Sequence, residues 1–136
     1  MPSVFTRILA GEIPGQFVFR DELWFAILDI RPVAPGHCLL IPTVETALLA
    51  ELPSPQLAAL GDRLARLTRA VKAASGAAAV NILVNDGPDA GQEVPHAHLH
   101  VWPRFPGDGK RLGWPAAPYG AGELEQWGGR LRAAWR

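Results

Sequence analysis

Three of the chain's four histidines stand at alternate positions within five residues, His96, His98 and His100, interleaved with Ala97, Leu99 and Val101. On a β-strand, residues i, i+2 and i+4 project from one face, so the imidazoles would share one side and the apolar side chains the other. Successive imidazoles would then be attached roughly 6.5 to 7 Å apart, given a rise of about 3.3 Å per residue. Three imidazoles on one face carry too much polar surface for an ordinary core, because every buried ring nitrogen needs a partner. A half-buried strand with one chemical face is the expectation.

The rest of the chain reads as an α+β domain. Residues 4–9 suit one short amphipathic helical turn, stopped by Gly11 and Pro14. Residues 16–20 and 23–29 are aromatic and β-branched runs on either side of Asp21 and Glu22, the pattern of an antiparallel hairpin. Pro32, Pro35 and Gly36 mark an irregular connection before a strand over residues 37–41. A central helix is predicted with Ser54 as N-cap, Pro55 at its first position and Gly76 as its stop. Within it Leu57, Leu60, Leu64, Leu67 and Val71 align on one face, while Asp62, Arg63, Arg66, Arg69 and Lys72 fall mostly off that stripe and read as solvated. Residues 79–84 make a further strand, residues 85–95 a loop, and residues 96–102 the histidine strand. Leu124, Trp127, Leu131 and Trp135 give residues 123–135 the spacing of a C-terminal helix. Trp102, Trp114, Trp127 and Trp135 are assigned to core packing. No repeat or low-complexity linker divides the chain, so residues 1–136 are read as one domain.

Charge narrows the partners. Thirteen Lys and Arg balance 13 Asp and Glu. A sequence-independent nucleic-acid binder draws its affinity from counterion release and carries a basic excess, so nucleic acid is not the expected partner. Cys38 is the single cysteine, which excludes an internal disulfide and any CxxC zinc site. No window approaches 18 uninterrupted apolar residues and the N-terminal stretch lacks a leader pattern, so a cytoplasmic chain without a membrane partner is expected.

On residue chemistry alone two sites compete. An HxH strand can present imidazoles to zinc, with His37 and one of Asp29, Asp86 or Asp89 completing the shell. The loop before the histidines favours a phosphate instead. Gly87 and Gly91 allow sharp turns and close approach of a ligand, and free N–H groups in such a turn hold oxyanions without fixed positive charge. Asn85 and Gln92 add neutral donors.

The segment HAHLHVW, residues 96–102, resembles the signature of the histidine triad family. The loop from Asn85 to Gln92, the block from Leu28 to Pro42 and the opening ILAGEIP are similar to further blocks of that family, so the resemblance covers residues 5 to about 105. It implies an α+β fold built on an antiparallel sheet, with two subunits joined through one continuous sheet as a homodimer. It also implies hydrolysis or transfer at purine nucleoside phosphates. Carried onto this chain, His98 would be the nucleophile that becomes nucleotidylated. His96 and His100 would orient it and touch phosphate oxygens, with His37 as a nearby partner. Asp29 would contact ribose, and Asn85, Gly91, Gln92 and Glu93 would surround the phosphate and leaving group. No tightly bound cofactor or resident metal is implied, although Mg²⁺ can arrive with the substrate.

Two branches compete within the resemblance. The DGPDAGQ loop and the PVAPGH segment look like the fragile histidine triad branch, which hydrolyses dinucleoside polyphosphates. ILAGEIP and Asp29 look like the nucleotide-binding branch, which hydrolyses phosphoramidates. Glu93 stands where both usually carry Ser or Thr, and its charge opposes a polyanionic leaving group by about 1 kcal/mol or more when partly desolvated. Glu45 stands where the second branch often has a histidine, and the cysteines that hold structural zinc in some bacterial members are absent. A nucleotide-binding regulatory module with little turnover is the non-enzymatic alternative.

Overall fold

A computed structural model describes all 136 residues. Helix α1 (Val4–Leu9) is followed by the hairpin β1 (Phe17–Arg20) and β2 (Trp24–Leu28), then β3 (Cys38–Pro42), the long helix α2 (Ser54–Ser75), β4 (Ala79–Leu83), β5 (Leu99–Arg104) and α3 (Glu123–Ala134). The strands form one antiparallel sheet in the order β1-β2-β3-β5-β4. Asp21 closes the hairpin, its Oδ1 accepting the backbone N–H groups of Leu23 and Trp24.

Alternation along β2, β3 and β5 sorts apolar residues into two cores, because neighbouring side chains leave a strand on opposite faces. Trp24, Ala26, Cys38, Leu40, Leu99 and Val101 pack beneath α2 with Leu67 and Val71. Phe25, Ile27, Leu39 and Ile41 pack on the other face with Phe5 and Ile8 of α1. The central strand β3 is buried along its whole length.

Helix α2 begins one residue earlier in its bonding than the sequence suggests. The Leu57 N–H bonds to the Pro53 carbonyl, so Pro53 is the N-cap, Ser54 lies inside the helix and no side chain caps it. Gly76 ends it as expected, in the left-handed conformation at φ 77°. The apolar stripe also shifts at its start: Leu57 is exposed and Gln56 is buried, with the Gln56 backbone carbonyl accepting the Trp24 indole N–H. Arg63 leaves the solvated set and pairs with Asp21 at 2.8 Å. Trp102 is buried as expected, whereas Trp114, Trp127 and Trp135 are exposed. Helix α3 forms at its predicted place but buries none of its residues. No helix is long and apolar enough to cross a membrane.

Candidate active site

The histidine segment joins the sheet later than alternation alone suggests. Pro95 has no N–H to donate, the His96 N–H turns back to the Val94 carbonyl (2.8 Å), and the Ala97 N–H bonds to the Thr46 carbonyl (2.7 Å). Pairing of β5 with β3 starts only at Leu99, opposite Leu40. The two-faced arrangement survives this. The rings of His96 and His98 lie edge-on to Phe5 of α1, with centroids 5.6 and 4.9 Å away, and His98 and His100 are 5.1 Å apart. Leu99 and Val101 point to the α2 side.

Hydrogen bonds to groups of fixed polarity determine which nitrogen of each neutral ring holds its proton. A carbonyl oxygen only accepts and a backbone N–H only donates. His98 therefore carries its proton on Nδ1, donating to the His96 carbonyl at 2.7 Å, and its Nε2 keeps the lone pair with no partner in the chain. His96 donates from Nε2 to the Pro42 carbonyl (2.9 Å), so its Nδ1 accepts the Ser3 hydroxyl (2.6 Å). His37 accepts the Val33 N–H on Nδ1 (3.0 Å) and so donates from Nε2 to His100 Nδ1 (3.0 Å), with Asp29 Oδ2 at 3.6 Å. The remaining proton of His100 sits on its Nε2.

Burial holds His37, His96 and His98 below the ordinary histidine pKa. For His100, burial and then the neighbouring His98 and His37 lower it to about 4. All four rings are neutral near pH 7, the form in which an imidazole is a nucleophile.

The ring of His98 lines a cleft of about 580 Å³ with His100, Asp29, Asn85, Gly91 and Glu93. Its inner wall is apolar, formed by Val4, Phe5, Ile8, Ile27 and Leu39 from both sides of the α1 packing. Asp29 is held in place: its Oδ1 accepts the Arg31 N–H at 2.8 Å. Gly91 adopts φ 96°, and a Cβ there would meet the Asn85 side chain at 3.9 Å, so the turn itself calls for glycine.

Two expected phosphate contacts are placed elsewhere. His96 is fully buried and both its nitrogens are engaged, so it positions His98 through its carbonyl and does not reach the cleft. Gln92 serves the loop: its Oε1 accepts the Gly87 N–H, and its Nε2 donates to the carbonyls of Ala47 and Val94. The loop amides of Ala90, Gly91 and Gln92 likewise bond within the loop, and along the cleft those of Asn85, Glu93 and Val94 have no partner. The HxH zinc arrangement is not formed either. Asp86 caps the Leu49 N–H, and the ligand atoms that converge within 4.8 Å are those of Asp29, His37 and His100.

A supporting layer went unread in the sequence. Ser3, the N-cap of α1, ties that helix to His96, while Glu45 Oε1 accepts the Ser3 N–H (2.5 Å) and the Thr6 hydroxyl (2.7 Å). These bonds, the Ser3 amide first, hold the Glu45 carboxyl down to about 2. The departure at Glu45 was visible; its partner 42 residues away was not.

Residues 10–107 match the HIT domain. An HIT-like protein of Mycobacterium tuberculosis is 46% identical over 111 residues, covering 79% of this chain and 75% of that one. Adenylylsulfatase HINT3 of Arabidopsis thaliana is 37% identical over 101 residues, 74% of this chain and 51% of the relative. Bis(5'-adenosyl)-triphosphatase of Saccharomyces cerevisiae is 33% identical over 105 residues, 76% of this chain and 50% of the relative. Among solved structures, an HIT family protein from Bacillus subtilis superposes with a TM-score of 0.91 at 29% identity, covering 100% of this chain and 99% of that one. With a family match over residues 10–107 and relatives 33–46% identical across about three quarters of its length, the chain belongs to the histidine triad (HIT) family.

Proposed function

We propose that this protein cleaves purine nucleoside phosphates by transferring the nucleotidyl group to His98 and then to water. The observation that carries the reading is the single protonated nitrogen of His98, fixed on the His96 carbonyl, which leaves Nε2 unpartnered on a ring that lines the cleft. In the first step the Nε2 lone pair attacks the α-phosphorus, a P–N bond forms, and the bond to the leaving group breaks with its electron pair departing on that group. The positive charge gained by the ring is stabilised by the carbonyl at Nδ1–H. In the second step a water oxygen attacks phosphorus, the P–N bond breaks with its electron pair returning to His98 Nε2, and the water's proton passes to solvent. The His100 Nε2–H, the Asn85 amide and the free N–H groups of Glu93 and Val94 are the donors available to phosphate oxygens. Asp29 is placed to accept ribose hydroxyls, and the apolar wall suits a flat base.

The names of the two hydrolase relatives support nucleotide hydrolysis as the reaction class. A homodimer fits the free outer edge of β4, where Ile82 is exposed, since an unpaired edge can extend a sheet into a second copy. Mg²⁺ would enter with a polyphosphate substrate and not as a resident ion.

Incubation with adenosine phosphoramidate or a dinucleoside triphosphate, quenched and read by intact mass, should reveal a protein carrying one nucleotidyl group. His98→Gly should carry none. Turnover no faster than solvent hydrolysis would favour a binding module. The convergence of Asp29, His37 and His100 gives a metal-dependent reading a specific basis. Phosphoramidate cleavage that survives exhaustive chelation would remove that reading, and loss restored by zinc would replace ours.

A further inference from the structure

A second cavity of about 390 Å³ adjoins the nucleotide cleft. The two share Asp29, Arg31, Asn85 and His100 in their walls, so the second cavity lies directly beside the first. Their chemistry differs. The second cavity adds Arg104, Lys110 and Arg111 and lacks the apolar wall and Glu93.

Arg104 is neutralised by Asp108 through bonds of 2.9 and 3.0 Å, and it also donates to Asn81 Oδ1 (2.6 Å) and to the Lys110 carbonyl. Asp108 further accepts the N–H groups of Phe105 and Lys110, each at 3.0 Å. This clamp fixes the chain just after β5 and holds Lys110 and Arg111 at the cavity. Arg31, Lys110 and Arg111 form no salt bridge, and Asp29 is the one acidic residue of the lining. A second observation is independent of charge. Trp102 lines the same cavity, is buried, and its indole N–H is the one buried side-chain polar group in the chain that lacks a partner. The Trp24 N–H, by contrast, has the Gln56 carbonyl. Buried donors are normally satisfied, so an indole N–H without an acceptor, on a residue of a wall that also carries three unpaired cations, points to an anionic ligand.

We propose that this cavity is the subsite for the distal phosphates of a polyphosphate leaving group, with Arg31, Lys110, Arg111 and the Trp102 N–H as its recognition elements. The assignment rests on nucleotidyl transfer at His98 and specifies which substrates that site favours. It also accounts for Glu93: the carboxylate that opposes a polyanion lines the other cavity, so the phosphate chain runs away from it.

The test compares the wild-type protein with the double variant Lys110→Ala/Arg111→Ala. One arm measures kcat/KM for diadenosine triphosphate and for an adenosine phosphoramidate with a neutral amine leaving group. The other measures binding of inorganic tripolyphosphate by calorimetry. The double variant should lower the ratio of polyphosphate to phosphoramidate kcat/KM by at least about 10-fold and weaken tripolyphosphate binding by a similar factor. An unchanged ratio overturns the subsite, as does a wild-type protein that cleaves the phosphoramidate alone. If the wild type cleaves neither substrate, the reaction assigned to His98 fails, and calorimetry still decides the cavity. Tripolyphosphate binding that depends on Lys110 and Arg111 upholds it, and no binding at millimolar concentration removes it.

Discussion

The two faces of the sheet are built from the same alternating strands, yet α2 runs for 22 residues across one and α1 for six across the other. At 1.5 Å per residue these are helices of about 33 and 9 Å, while a five-residue strand spans about 17 Å. The long helix seals its side into the core of Trp24, Leu40, Leu67 and Val101. The short one covers Phe25 and Ile41 and stops, and the uncovered part of the same face is where His98, His100 and Asp29 line the cleft. The covered face should therefore govern stability and the open one catalysis, with α1 packed on the open face and lining the cleft through Val4, Phe5 and Ile8.

That division can be broken most sharply at His98. His98→Gly should reduce turnover by about 10⁴-fold or more in a protein that still folds, its stability loss confined to the ring's contact with Phe5 and its bond to the His96 carbonyl. Near-normal hydrolysis by a folded variant would end the nucleophile assignment. Leu67→Ala is the converse experiment. It should cost about 2–4 kcal/mol in denaturant unfolding and leave kcat/KM of the folded fraction within a few fold. A large kinetic effect with little loss of stability would erase the distinction between faces.

Acid should act through the open face. A histidine whose folded pKa lies below its unfolded value takes up a proton more readily when unfolded. All four histidines are lowered in this way, so their contribution to stability is complete above about pH 6.5 and is lost as pH falls, toward about 4 for His100. Melting temperature should fall across that window, and the acid limb of kcat/KM should lie below pH 6.5. A flat melting profile from 6.5 to 4 would contradict the neutral-ring network. The smallest predicted effect, about 10-fold in kcat with KM nearly constant, belongs to Ser3→Ala, which removes the hydroxyl on His96 Nδ1. Ser3→Thr should restore most of it, and a Ser3→Ala variant that loses thermal stability with kcat unchanged would reduce Ser3 to a helix cap.

Local regularities were legible in the residues because they depend on neighbours in sequence. The hairpin followed from two β-branched runs around Asp21, the long helix from leucines at steps of three and four, and the shared face of the imidazoles from their period of two. What was missed depends on partners far along the chain. His96 loses its expected phosphate contact because Ser3 and Pro42, 93 and 54 residues away, occupy its nitrogens. Gln92 is spent on Ala47, 45 residues distant. Gln56 lies buried where Leu57 is expected, beside Trp24 of β2, whose indole N–H meets the Gln56 backbone carbonyl across 32 residues. The exposed tryptophans of the last 25 residues show the same limit, since helical spacing forms α3 but supplies no surface for it to rest on.

The parity of β5 has a consequence for how sequences of this kind can drift. Deleting or inserting a single residue between Ala97 and Val101 would carry imidazoles into the greasy interior beneath α2 and send Leu99 and Val101 out toward the cleft. One slip would thus undo packing and chemistry together, so length changes should be confined to the connecting loops, where no such two-fold count is kept.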